Sequence, residues 1–403
     1  MSEVLSKKSA FEALFASLTG ENAALPGVVM AAFREDGIFH SRAAGPLRAG
    51  SQDSIDLDSG FWGFSCTKLL TTVAVLQCVD RGLIKLDDAV APILPELATP
   101  DIISPKSDNQ HGFQLAPATT PITARHLLTH TSGLSYDAMN PLLVAWRKSR
   151  GEAPLVMSGL VIKAYSLPLL FEPGTSWTYG CSLDWAGVLV GRLNGNVTLG
   201  EYMAANIFAP LRIQQTSFHP FEGPNGGSHM AQMFSRTAEG ALTPIESPYP
   251  KRAPEESGGM GITTTPADFA TVLSDILKDK PLLLRTETAQ LMFSAQFEVG
   301  SPQYKAFLKQ NNMHAHLTGE REGEPDIAFG LGGLVVLDGG VRNLPKGSLS
   351  WNGMPNIGWF VNRELGYGAV FFTQLMPPAD QKSVSLMEAY WAFVHQVAVN
   401  NLR

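Results

Sequence analysis

The 403-residue chain has only three cysteines, Cys66, Cys78 and Cys181. The odd count and wide spacing argue against a disulfide framework or a cysteine metal site, and point to buried free thiols. No continuous apolar run approaches the roughly 18 residues that a bilayer crossing needs. Positive charge is also short: 30 Lys and Arg stand against 37 Asp and Glu, for a net charge of −7. The basic residues are scattered. The tightest group, Arg147, Lys148 and Arg150, reads as the solvated face of a helix. A nucleic-acid surface is therefore not expected. The N-terminal stretch reads as an amphipathic helix and lacks the apolar core and small-residue cleavage site of a secretory signal. These absences predict a cytoplasmic protein with neither membrane nor nucleic-acid partner.

What is present is an ordinary globular composition, 44% hydrophobic and 17% charged. Two apolar runs flank Asp36-Gly37, a hairpin signal. Leu69, Val73 and Leu76 recur at helical spacing within 65–81, and Gly82 ends that helix. In LIKLDDAVAPILPEL, Asp87 and Asp88 read as the acidic start of another helix. From 96 to 250 the texture becomes mainly helical, with long Pro/Gly/Ser/Asn-rich loops. Alternation returns in 329–340, 346–353, 357–366 and 367–375, read as consecutive strands, and an apolar helix closes the chain at 380–399. The pattern predicts an α/β (α+β) protein, an antiparallel sheet flanked by helices. Residues 1–95 and 251–403 form a discontinuous sheet domain in this reading, with a mainly helical domain at 96–250 and the active site between them.

Three segments carry candidate chemistry. In Ser65-Cys66-Thr67-Lys68 a serine and a lysine lie three residues apart, on one face of a helix. A serine hydroxyl becomes a useful nucleophile only when a base takes its proton. A helix N-terminus also favours developing negative charge. A serine cap followed by a solvated lysine explains the same four residues, but a lysine in the first turn opposes the helix dipole and needs a reason. Tyr179, in FEPGTSWTYGCSLDWAG, precedes a helix that begins near Ser182; it is either a core aromatic or a proton relay. Trp351-Asn352-Gly353-Met354 ends a strand. It is either a simple turn or the place where a strand offers a second backbone N–H to an oxyanion. His126 and His130 have the spacing of zinc ligands but no third ligand, so no metal is expected. A Ser-His-Asp triad is not supported, because no G-x-S-x-G elbow is present.

In order along the chain, SCTK, LLTHTSGL, EPGTSWTYGCSLDWAG, ESGGMGITTTPADFA and GSLSWNGMPNIGW resemble the serine β-lactamase-related superfamily. That superfamily includes class C β-lactamases, penicillin-binding proteins, esterases and the fungal acyltransferases that load statin side chains. The last branch is the most similar in flavour. The resemblance implies a β-lactamase/transpeptidase-like fold. It makes Ser65 the acylated nucleophile, Lys68 its base partner, and Tyr179 the general base and acid. The backbone N–H groups of Ser65 and Met354 become the oxyanion hole. Tyr136, Trp351, Asn352 and Gly353 become substrate-binding residues. Two departures matter. Cys181 stands two residues after the tyrosine, where β-lactamases usually have Asn, and Trp351-Asn352-Gly353 replaces Lys-Thr-Gly. Loss of that lysine argues against β-lactam carboxylates as the main substrates. Cys66 points off the face that holds Lys68 and is rejected as nucleophile.

The expected activity is acyl transfer through a covalent acyl-enzyme, in secondary metabolism and without a cofactor. An ester or thioester, free or carrier-bound, is the donor, and an alcohol is the acceptor. The alternatives are a carboxylesterase, a β-lactamase, and a catalytically silent binding protein of the same fold.

Overall fold

The computed structural model describes residues 2–20, 23–106, 112–222, 226–310, 326–338 and 341–400. Helix α1, Ser2–Thr19, leads into strands β1, Val28–Arg34, and β2, Gly37–Ala44. The hairpin turns on Glu35-Asp36, with Arg34 paired to Gly37. Gly37 has φ +127°, a conformation only glycine adopts without strain. Helix α2 spans Thr67–Asp80 and α3 Ser182–Leu193. Helix α4 spans Pro266–Leu277. The late strands are β3 Ile327–Phe329, β4 Leu334–Val336, β5 Leu349–Gly353, β6 Ile357–Asn362 and β7 Tyr367–Phe372. Helix α5, Gln381–Asn400, ends the described chain.

These strands form one antiparallel sheet in the order β2-β1-β7-β6-β5-β4-β3. The first and last parts of the sequence therefore meet at its centre, where β1 pairs with β7. Helices cover both faces. On one, Phe11 of α1 stacks on Phe393 of α5 with ring centroids 5.1 Å apart. On the other, Phe269 of α4 packs edge-on against Trp359 and Phe372. Residues Thr67 to Cys78 of α2 are all buried, so the apolar stripe read from the sequence is one side of a helix enclosed all round.

Four expectations change. The run 329–340 is two strands, because Gly330 N–H bonds back to Gly333 O and Gly332 turns the chain at φ +94°; its last two residues lie outside the described residues. No α-helix starts at Asp87-Asp88. The backbone there pairs across the chain instead: Arg125 N–H reaches Leu86 O and Val90 N–H reaches Ile122 O. Asp87 takes the Arg125 guanidinium at 2.7 and 2.9 Å, which holds its carboxyl below the usual range. Arg147 is not solvated. It is buried, 3.0 Å from the buried Asp137 carboxylate and 2.6 Å from Ala164 O, while Lys148 and Arg150 stay exposed. Finally, strands occur within 96–250 as well as helices: Asp101–Pro105 pairs with Phe113–Pro117, and Met233–Arg236 with Leu242–Ile245.

Candidate active site

Ser65 lies in a single 3-10 turn, Phe64–Cys66, that runs into α2. Phe64 has φ +44°, a sparsely populated region for a bulky residue. Such strain clusters at functional sites. No sequence pattern announced it. Gly63 N–H anchors the turn on Ile262 O at 2.9 Å. Gly353, the last residue of β5, presses on the same turn: a Cβ there would stand 2.5 Å from Gly63 O and 3.2 Å from Cys66 Sγ. Strand pairing ends at Gly353, opposite Ile357, so the next N–H, on Met354, is not committed to the ladder. The Ser65 N–H stands in the first turn, where backbone donors lack intrahelical partners. Cys66 itself is fully buried and burial pushes its thiol pKa up, so it remains a thiol.

The chain gathers Lys68 and Tyr179 on Ser65. Tyr179 Oη lies 2.6 Å from Ser65 Oγ, and Lys68 Nζ lies 3.3 Å from it. Lys68 is 3% exposed. Its ammonium also donates to Gly259 O at 2.7 Å and to Tyr136 Oη at 3.2 Å. It stands 4.7 Å above the centroid of the Tyr179 ring, a cation–π geometry. An ammonium has three donors, and these contacts use all of them. Tyr136 is therefore doubly placed: its ring lines the cavity above Ser65, while its hydroxyl belongs to the Lys68 network.

Two loops hold the tyrosines side by side. Ser135 Oγ donates to Tyr179 O, and Cys181 Sγ approaches Ser135 O at 3.3 Å. Gly180 permits this closeness, since a Cβ would stand 2.3 Å from Ser135 Cα. His130 packs against Tyr179 with centroids 4.8 Å apart. Burial, then the charge of Lys68, pushes its pKa well down, so it is a neutral wall. His126 does not join it: His126 Nδ1 accepts the Thr123 N–H of its own helix cap. Among the described residues, no three His, Cys, Asp or Glu side chains gather as metal ligands.

Sequence reasoning missed Asp184. Its buried carboxylate accepts Tyr136 Oη at 3.3 Å and Gly259 N–H at 3.0 Å, and takes the Ser257 hydroxyl. Burial raises its pKa, partly offset by Lys68 and these donors. Burial and then the Asp184 charge push Tyr136 well above the usual phenol range, so it stays a donor. The motifs around Asp184 and Ser257-Gly258-Gly259 were visible; their contact was not.

Ser65 opens into a cavity of about 440 Å³. Its walls are apolar, with Met139, Val156, Met157, Met260, Trp359 and Trp391 among them. Trp351, Asn352, Gly353 and Met354 also line it. Trp351 packs on Tyr179 and Phe329 at 5.6 Å each. Its buried indole N–H has no partner among the described residues. Among the described lining residues, Arg342 is the one ionised side chain, and it is ion-paired with Glu388.

A family model described as Beta-lactamase matches residues 11–387. The chain belongs to the β-lactamase family. Within it, the chain is similar to the acyltransferase calJ of Penicillium decumbens, 39% identical over 335 residues, 81% of this chain and 79% of that one. It is also similar to the lovastatin esterase of Penicillium rubens, 31% identical over 361 residues, 88% of this chain and 90% of that one. The simvastatin synthase of Aspergillus terreus, in a mutant form, has the same fold: TM-score 0.85 at 29% identity, over 98% of this chain and 100% of that one. This β-lactamase-family chain is thus an enzyme of the serine acyltransferase and esterase branch. Among its described residues, no helix is long and apolar enough to cross a membrane.

Proposed function

We propose that Ser65 carries the acyl group, that Tyr179 moves the proton, and that Lys68 supplies the positive charge beside them. The observation that carries this reading is the 2.6 Å contact of Tyr179 Oη with Ser65 Oγ under an apolar cavity. Ser65 Oγ attacks the donor carbonyl as its proton passes to Tyr179, which takes it in the phenolate form. The Ser65 and Met354 N–H groups face the oxyanion, and Tyr179 returns the proton to the leaving group. The incoming alcohol then gives its proton to Tyr179 and takes the acyl group, and Tyr179 hands that proton to Ser65 Oγ as it leaves, which restores both groups. Lys68, with all three donors engaged, acts as a fixed charge that offsets the negative charge developing on Ser65. Trp351, Asn352, Gly353 and the Tyr136 ring hold the substrate.

In this reading the site lies between the sheet unit, 1–95 and 251–403, which supplies Ser65, Lys68 and Met354, and the unit 96–250, which supplies Tyr136 and Tyr179. The acyl acceptor is a bulky apolar alcohol of secondary metabolism, in keeping with the Met- and Trp-rich walls. The donor is an ester or thioester, free or on a carrier protein, and the enzyme works in the cytoplasm. Hydrolysis is the second reading, favoured by the similarity to an esterase. The test supplies p-nitrophenyl butyrate with and without a panel of alcohols. Ester product supports transfer; free acid with every acceptor would replace it with hydrolysis. Turnover unchanged in Ser65→Ala would end both.

A further inference from the structure

We propose that Asp184 is a positioning residue that aims the Lys68 ammonium at Ser65. The inference rests on the reading of Ser65, Lys68 and Tyr179 given above and goes beyond it by adding the group that orders them.

The Lys68 ammonium has three N–H donors. One goes to Gly259 O, one to Tyr136 Oη and one to Ser65 Oγ. Asp184 sets the first two. Gly259 is held because Asp184 accepts its N–H at 3.0 Å and takes the hydroxyl of Ser257, two residues earlier. A Cβ on Gly259 would stand 2.4 Å from Asp184 Oδ2, so the loop lies directly on the carboxylate. Tyr136 is held because its hydroxyl donates to Asp184 Oδ2, which leaves its oxygen to accept from Lys68. With two donors fixed, the tetrahedral ammonium has one direction left, and that direction is Ser65.

Asp184 also balances charge. Lys68 is buried, and a buried cation needs a counter-charge. Asp184 is the carboxylate that reaches it, through one hydroxyl, without touching Ser65 and without a direct ion pair that would draw Lys68 away. The titratable groups facing Asp184 are Lys68 of α2, Tyr136, Tyr165, Tyr249 and Cys181. Of these, Lys68 is the cation.

The experiment uses the full-length enzyme and p-nitrophenyl butyrate, with Ser65→Ala as the reference for the underlying reading. Asp184→Asn keeps the size and removes the charge. The expected result is a fall in kcat of about 100-fold with KM changed less than about threefold. The acid side of the kcat profile is the second readout. Activity falls as Asp184 gains a proton, at a pH above the ordinary carboxylate range because burial raises its pKa; Asp184→Asn lacks that limb. The third is non-additivity: Tyr136→Phe costs much less in the Asp184→Asn background than alone. Full kcat in folded Asp184→Asn, a loss seen only in Tm, or additive losses would overturn the proposal. If Asp184→Asn does not fold, Ser257→Ala and Tyr136→Phe decide. Each lowers kcat if Asp184 acts through them, and unchanged kcat in both overturns it. A dead Ser65→Ala beside a fully active Asp184→Asn removes only this inference; an active Ser65→Ala removes the reading beneath it.

Discussion

The cavity has two kinds of wall, and Ser65 sits where they meet. Below Ser65, each polar group has a named partner: Tyr179, Lys68, Tyr136, Gly259 and Asp184 form one connected set. Above it, side chains such as Met139, Val156, Met157 and Trp391 offer surface without direction. A hydrogen bond fails when one atom moves by an ångström, whereas an apolar wall tolerates changes of shape that keep its volume. The floor therefore determines whether an acyl group moves, and the walls determine which one. That division is open to attack from both sides.

The largest effect falls on the nucleophile. Ser65→Ala is expected to lower kcat for p-nitrophenyl butyrate by at least about 10³-fold and to abolish covalent labelling by a fluorophosphonate. Intact-mass spectrometry reads the label. Labelling of another serine in the variant would break the assignment of the floor. Tyr179→Phe comes next. It removes the hydroxyl 2.6 Å from Ser65 but leaves the ring against Trp351 and His130. A loss of about 10²- to 10⁴-fold in kcat, the range for general acid–base groups, is expected with little change in Tm. A variant with near-normal kcat would move the proton-carrying role from Tyr179 to Lys68.

A third test sits behind the floor. Asp137 follows Tyr136 directly, and its buried carboxylate binds Arg147 at 3.0 Å and Leu155 N–H at 2.7 Å. Arg147→Met leaves that carboxylate without its cation. Breaking a buried pair in this way costs about 3–5 kcal/mol. Chemical denaturation measures it, and a cost below about 1 kcal/mol would show that the pair is not what holds the Tyr136 loop.

The two walls also differed in how well they could be read from the chain. The floor depends on local chemistry written in short motifs. Ser65 and Lys68 stand at helical spacing, and Tyr179 announces itself by its flanks. The sheet was legible for the same reason, since alternation is local: β5, β6 and β7 fall within the runs expected of them. What stayed hidden depends on distant contacts. Asp184 looked like an ordinary helix residue because its partners, Tyr136 and Ser257-Gly259, lie 48 and 73 to 75 residues away. Arg147 looked solvated because its partner Asp137 precedes the helix. Asp87 looked like a helix start because Arg125, which takes it instead, is 38 residues on. Phe64 gave no signal at all, because backbone strain is imposed by what packs around a residue rather than by its type.

The smallest effect belongs to the apolar wall, and it is the one that tests whether the division is real. Met157 lines the cavity and is partly buried against the core. Met157→Ala enlarges the cavity without touching a polar group of the floor. If the wall sets selectivity alone, the ratio of kcat/KM for longer over shorter p-nitrophenyl esters rises by up to about 10-fold. A single methylene in an apolar pocket is worth about 10-fold at the low end, the end expected for a flexible methionine wall. The kcat for butyrate then stays within about threefold of its starting value. An equal loss on all esters would mean that the wall also positions Ser65 or Tyr179. Floor and wall would then be one mechanical unit, because a change in packing alone would have moved the groups that carry the chemistry.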